Sequence, residues 1–194
     1  SRVMRRMRIL NLSNYNEYID YLNSNYTKEI VEFINAVTTN KTEFFREGFH
    51  FEYLRDIVFP SLESSDEIRI WSAGCSTGEE PYSIAITACE YFEGRENPVK
   101  ILATDISHRA LGKAISGKYG LEIKNQIDPI LLSKYFRKTL EGYEVKNEIK
   151  DLISFRAFNL KSSFPFKHGF DIIFCRNVLR NLNRNGNIPT ISKS

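Results

Sequence analysis

The residues best able to do chemistry lie between 68 and 86, IRIWSAGCSTGEEPYSIAI. Ile68, Ile70 and Trp71 give a strand pattern that runs into a turn of small residues at 72–78. Two carboxylates, Glu79 and Glu80, then Pro81 and an amphipathic stretch follow. Strand, glycine turn and helix is how an α/β sheet builds a nucleotide site: glycines let backbone approach a ligand, and proline suits a first helical turn. The turn is not GxGxxG, and no lysine follows it as in a P-loop. Glu79 and Glu80 suit the positive end of a helix dipole but would repel a phosphate. A ligand with ribose hydroxyls or a cationic group fits better, and S-adenosylmethionine has both.

A second acid, Asp105, closes the next apolar run, where a carboxylate can accept hydrogen bonds from ribose hydroxyls. The same residue can instead cap the helix that follows at Ser107, and both roles are compatible. Asn159 follows a third apolar run and Asn177 a fourth. Ligands of doubly wound sheets bind outside the carboxyl ends of the strands. Glu80, Asp105, Asn159 and Asn177 would then share one rim. Singly each reads more readily as structural, and their coincidence on the rim carries the weight.

The elements that must position these residues follow from periodicity. Residues 1–36 read as helical, with Tyr15, Tyr18, Ile19 and Leu22, then Ile30, Val31, Phe33 and Ile34, at helical spacing. Thr38 to Thr42 break the pattern, and Thr42 can cap the segment 43–47. A helix is expected over 50–59, stopping at Pro60. Strands are expected at 67–72, 99–104, 152–158 and 170–175, the last continuously apolar and so buried on both faces. Helices are expected at 81–92, 107–116 and 131–136, with a hairpin turn and strand at 141–145.

Composition narrows the class. At 194 residues and 42% hydrophobic content the chain can bury a real core. A net charge of +3 is too mild to imply nucleic-acid binding alone, although Arg2, Arg5, Arg6 and Arg8 crowd the first eight residues and suggest an acidic partner. Cys75, Cys89 and Cys175 lack CxxC spacing, which argues against a disulfide framework or structural zinc and fits reduced thiols in the cytosol. Neither a membrane span nor a signal peptide is expected.

Five stretches occur in order at suitable spacing: TTNKTEFFRE (38–47), IWSAGCSTGEEPYSIAI (70–86), ATDIS (103–107), FNL (158–160) and FDIIFCRNVL (170–179). On them the chain resembles, over residues 5–179, the CheR family of chemotaxis receptor methyltransferases. The resemblance implies an α/β fold of the class I S-adenosylmethionine-dependent methyltransferase type, with a Rossmann-like sheet that is C-terminally incomplete here. It implies a helical segment at 1–37, a linker at 38–60 and a methyltransferase domain at 61–194. That domain would hold a small antiparallel β-subdomain at about 130–150 and a divergent tail at 181–194. The implied reaction methylates glutamate carboxylates on the cytoplasmic helices of methyl-accepting chemoreceptors, leaving S-adenosyl-L-homocysteine. By motif, Asn40, Thr42, Arg46, Glu80, Asp105, Asn159, Leu160, Asn177 and Val178 would contact S-adenosyl-L-methionine. Arg46 would also lie beside the reacting groups. The family's basic N-terminal helix implies receptor contact for Arg2, Arg5 and Arg6, which share a face at intervals of three and four.

The chemistry is consistent with so sparse a catalytic set. A carboxylate is a nucleophile at neutral pH and a sulfonium methyl is already activated, so alignment supplies most of the catalysis. An arginine can hold the acceptor carboxylate by a bidentate pair. His50, His108 and His168 need no catalytic role, and Cys75 reads as a small filler. The chain departs from the family at Asn181, where a tyrosine is expected, and in lacking the strands that should follow. Weak or absent turnover is therefore expected, with an exposed sheet edge at the fourth strand. The alternative is a non-catalytic module that binds cofactor or receptor without turnover. A nucleic-acid methyltransferase, suggested by a pI of 8.7, lacks interleaved basic and aromatic residues along a groove.

Overall fold

The computed structural model describes residues 2–37 and 42–176. Three helices open it: α1 (Arg2–Ile9), α2 (Tyr15–Ser24) and α3 (Tyr26–Val37). Asn14 caps α2 by accepting the Glu17 N–H at 3.0 Å, and the Glu17 carboxylate reaches back to the Ser13 N–H at 2.8 Å. One polar knot fastens all three helices. Arg6 donates from Nε and Nη2 to the two Glu29 oxygens at 2.9 and 2.6 Å, and the Tyr18 hydroxyl donates to Glu29 at 2.8 Å. Arg6 thus turns inward, because buried Glu29 needs a cation beside it. Of the arginines expected to share a face, Arg5 is exposed, as is Arg8, Arg6 is half-buried, and the Arg2 side chain lies outside the description.

Residues 44–48 form turns rather than the capped segment expected after Thr42. Phe45 and Glu47 stand there in the left-handed region, with φ of 51° and 57°. A composite helix follows: α4 (Phe49–Tyr53), a π-helical turn (Leu54–Val58) and α5 (Phe59–Ser61). Pro60 does not stop it. The wide turn lets the Phe59 N–H bond back to the Leu54 carbonyl, and Pro60 then falls in the first turn of α5, where a missing N–H costs little.

The α/β part runs β1 (Ile68–Ala73), α6 (Glu79–Tyr91), β2 (Val99–Asp105), α7 (His108–Ser116), β3 (Lys118–Tyr119), a 3-10 turn (Leu121–Asn125), α8 (Pro129–Tyr135), β4 (Phe136–Lys138), β5 (Tyr143–Val145), α9 (Asn147–Lys150), β6 (Ile153–Ala157) and β7 (Ile172–Phe174). The main sheet has the order β6-β2-β1-β7. Its strands are parallel, with Ile68 paired to Val99, Ile101 to Ile153 and Ile70 to Ile172. The order reverses between β1 and β7, the place where such sheets open a crevice.

A second, antiparallel sheet has the order β3-β5-β4. It matches the expected β-subdomain but begins earlier, at Lys118, since two residues are too few to show an alternating pattern. The expectation for the fourth main strand needs correction. β7, like β6, stands at an edge of its sheet among the described strands. Phe174 stacks on Phe51 with ring centroids 6.0 Å apart, while Ile173 on the other face is 41% exposed. The core between sheet and helices is built from Ile68, Ile70, Tyr82, Ile84, Ile86 and Val99, all fully buried. On the opposite face Trp71 packs among Phe158, Phe164, Phe166 and Phe170.

Candidate cofactor site

Four parallel strands put the ends Ala73, Asp105, Ala157 and Phe174 on one rim. After β1 the chain folds back on β2: the N–H groups of Gly74 and Cys75 both donate to the Thr104 carbonyl, at 2.8 and 2.9 Å. The Ser76 N–H then donates to Asp105 Oδ2 at 2.8 Å, and the Ser107 N–H to Asp105 Oδ1 at 2.8 Å. Of the two roles open to Asp105, the cap of α7 falls to the Ser107 hydroxyl, which accepts the Ala110 N–H. Asp105 braces the turn on one side and the helix entry on the other. Each carboxylate oxygen keeps a second acceptor direction.

Gly78 is glycine for a different reason from ligand approach. Its φ is 97°, and an added Cβ would stand 2.9 Å from the Ala114 Cβ and 3.0 Å from the Tyr119 hydroxyl. It lets the turn lie against α7 and β3, where the Tyr119 hydroxyl donates to the Thr77 carbonyl at 2.7 Å. Ser76, at φ 51°, has a buried hydroxyl with no hydrogen-bond partner among the described residues. Such an orphan, in a braced turn beside Asp105, fits a ligand that brings hydroxyl or amino groups.

The acid pair divides its work. Glu80 accepts from the Ser72 hydroxyl at 2.7 Å and from Arg176 Nε at 2.7 Å, with its side chain buried. Glu79 accepts from the Thr77 hydroxyl at 2.9 and 2.7 Å, and the Thr42 side chain adds to the pull on its carboxyl. Burial pushes the Glu79 carboxyl up, against the pull of these hydroxyls. Thr42 is half-buried and starts no helix, since residues 44–48 form turns.

Arg176 was not legible as a site residue, although it directly follows the apolar run 170–175 on the rim that the acid pair faces. Its Nη1 donates to the Arg46 carbonyl at 2.6 Å and lies 3.4 Å from both Glu47 and His50. Arg46 thus stands in the half-buried turn beside the Glu80–Arg176 pair. Asn159 is exposed just past β6, and its side chain accepts the Lys161 N–H at 3.0 Å, closing its own turn. Leu160 is half-buried. Asn40, Asn177, Val178 and Asn181 lie outside the described residues. His108 and His168 are exposed, and Cys75 is buried with its thiol pushed up by desolvation. Among the described residues there is no group of His, Cys, Asp and Glu that could hold a metal ion, and no helix long and apolar enough to cross a membrane.

Comparison with known proteins agrees with this geometry. The profile of the CheR methyltransferase SAM-binding domain matches residues 40–191, and that of the CheR methyltransferase all-alpha domain matches residues 1–38. A chemotaxis protein methyltransferase of Borreliella burgdorferi is 40% identical over 190 residues, covering 92% of this chain and 67% of that protein. A probable chemotaxis protein methyltransferase of Rhizobium etli is 39% identical over 189 residues, covering 92% and 70%. Chemotaxis protein methyltransferase 2 of Pseudomonas aeruginosa is 40% identical over 184 residues, covering 92% and 65%. The chain spans about two thirds of the length of these relatives.

Proposed function

The chain belongs to the CheR methyltransferase family, with S-adenosyl-L-methionine as cofactor, and from that premise we propose that it methylates glutamate side-chain carboxylates on chemoreceptors. The observation that carries the reading is the braced turn at the strand-order reversal, with the orphaned Ser76 hydroxyl beside Asp105. The bound cofactor supplies a methyl group already activated on a sulfonium.

The chain's own residues bind and orient. Asp105 uses its free acceptor directions for ribose hydroxyls, and Ser76 offers a further hydrogen bond. Glu80 presents a carboxylate held in place from both sides, suited to a cationic group. Thr42, Asn159 and Leu160 complete the contacts with Asn40, Asn177 and Val178. Arg46 holds the acceptor carboxylate by a bidentate pair. No strong base is required, so the site works by alignment, where an error of about 1 Å can cost on the order of 100-fold. Receptor contact falls to the exposed Arg5 and Arg8 of α1 together with Arg2, while Arg6 stays with Glu29. The protein works in the cytoplasm, where the receptor helices carrying these glutamates lie.

The test is transfer of label from methyl-labelled cofactor to a receptor cytoplasmic fragment. Carboxyl methyl esters release methanol in base, whereas methylated amines do not. Base-labile label lost when the acceptor glutamates become alanine supports the proposal, and base-stable label contradicts it.

A further inference from the structure

The turn at 44–48 runs into α4 through backbone bonds to the Glu47 and Gly48 carbonyls, while its start is held by side chains. The Phe44 N–H donates to the Gln126 side chain at 3.0 Å and the Phe45 N–H to the Ser83 hydroxyl at 2.9 Å. Phe45 and Glu47 take left-handed conformations, which persist only where the surroundings impose them. The third tether is the Arg176 guanidinium on the Arg46 carbonyl. The same guanidinium carries the ion pair with Glu80, at side-chain exposures of 15% and 9%. It also lies 5.8 Å from the centre of the Phe51 ring. One planar group therefore joins three segments at the strand-order reversal: the end of β7, the start of α6 and the turn bearing Arg46.

We infer that Arg176 is a positioning residue of this site, clamping the Glu80 carboxylate and the Arg46 peptide in a single register. The inference rests on the cofactor reading above, since it is that reading which makes Glu80 and Arg46 the groups to be aligned. The fork of a guanidinium is what the task needs: Nε points to Glu80 while Nη1 points to the Arg46 carbonyl. A lysine ammonium can satisfy the buried carboxylate but has no second, rigidly angled donor for the peptide. Without any cation the Glu80 carboxylate would be left buried beside only the Ser72 hydroxyl, which is costly.

Two readouts on the full chain test the clamp with Arg176→Gln and Arg176→Lys. The first is trypsin cleavage after Arg46 without ligand, relative to cleavage after Lys138, a residue in the β4–β5 hairpin. Arg176→Gln should raise that ratio about tenfold, because local opening exposes the Arg46–Glu47 bond. Arg176→Lys should raise it as well. The second is calorimetric titration with S-adenosylhomocysteine. Arg176→Gln should bind about tenfold more weakly, the scale of one charged hydrogen bond, and Arg176→Lys should recover part of the loss. In a double-mutant cycle, Arg176→Gln should add little to Glu80→Gln. An unchanged cleavage ratio, an equal rise at both sites, or additive losses would overturn the clamp. If the parent fails to bind S-adenosylhomocysteine while the Arg46 ratio still responds, the cofactor reading falls and the clamp stands.

Discussion

Asp105 Oδ2 accepts the backbone N–H of Ser76 at 2.8 Å, so the last residue of β2 holds the turn that follows β1. Its other oxygen holds the Ser107 N–H. Asp105 is therefore both a brace and a ligand contact, and substitutions should report both. Hydrogen bonds to charged groups contribute about 1.5–3 kcal/mol each, so Asp105→Ala should lower the unfolding free energy by about 3 kcal/mol. Asp105→Asn keeps one acceptor and should lose about half of that, with S-adenosylhomocysteine binding weakened about tenfold or more. Urea unfolding and titration of both variants check this. Weakened binding with unaltered stability would mean that the brace contributes nothing.

Ser76→Ala separates stability from ligand contact in the opposite sense. The hydroxyl is buried and unpartnered among the described residues, so its removal should leave the free protein unchanged or more stable by about 1 kcal/mol. Binding of S-adenosylhomocysteine should weaken. Alanine adds no backbone strain beyond that of serine at φ 51°. A melting temperature that rises while affinity falls is the expected result, and a drop in both would show that the hydroxyl stabilises the free fold.

Much of this site could be read from the sequence, and what could not has a physical reason. Strand, turn and helix at 68–91 were legible because apolar alternation, Gly78 and Pro81 are strong local signals. The rim was legible because parallel strands end on one side. Arg176 was not, because its partners Glu80 and Arg46 are far away in sequence and no local pattern brings them together. β3 was too short for periodicity, and Pro60 misled because a π-helical turn before it changes which carbonyl is freed. The Arg6–Glu29 pair was not legible because spacing gives a face without saying which way that face points. Only the buried Glu29 decides that.

Gly78→Ala should destabilise the fold through packing. The new Cβ would meet the Ala114 Cβ at 2.9 Å and the Ala114 Cα at 3.1 Å, with φ at 97°. A strained backbone plus overpacking against a helix should cost about 2–3 kcal/mol. A companion Ala114→Gly change should return part of it, because it removes the Cβ contact while leaving the Cα and Tyr119 contacts and φ. Chemical denaturation of the single and double variants measures this, and a double variant no better than Gly78→Ala would show that the Cβ–Cβ contact contributes no more than the roughly 0.5–1 kcal/mol that a glycine inside α7 costs.

The helical N-terminal region should lose stability in acid. Hydrogen bonds from Arg6 hold the Glu29 carboxyl below the ordinary glutamate value of 4.5, against burial that pushes it up. A carboxylate with a lowered folded pKa stabilises the fold above its unfolded pKa, and the contribution fades as pH falls through the folded one. Stability should therefore decline as pH drops below about 4.5, and Glu29→Gln should flatten that part of the profile. Arg6→Met, which leaves the Glu29 charge buried beside only Tyr18, should cost about 2–4 kcal/mol at neutral pH. Thermal unfolding followed across the acid range decides it. A parent profile no steeper than that of Glu29→Gln would remove the pair from the account.

The central claim, that the rim formed by the ends of β1 and β2 holds the adenosyl cofactor, is met most directly by equilibrium dialysis of labelled S-adenosylmethionine against the full chain and Asp105→Ala. The account predicts saturable binding of one equivalent per chain, displaced by unlabelled S-adenosylhomocysteine, and weakened on the order of 10- to 100-fold in Asp105→Ala. Binding that does not saturate, or that Asp105→Ala leaves at parental strength, would contradict it.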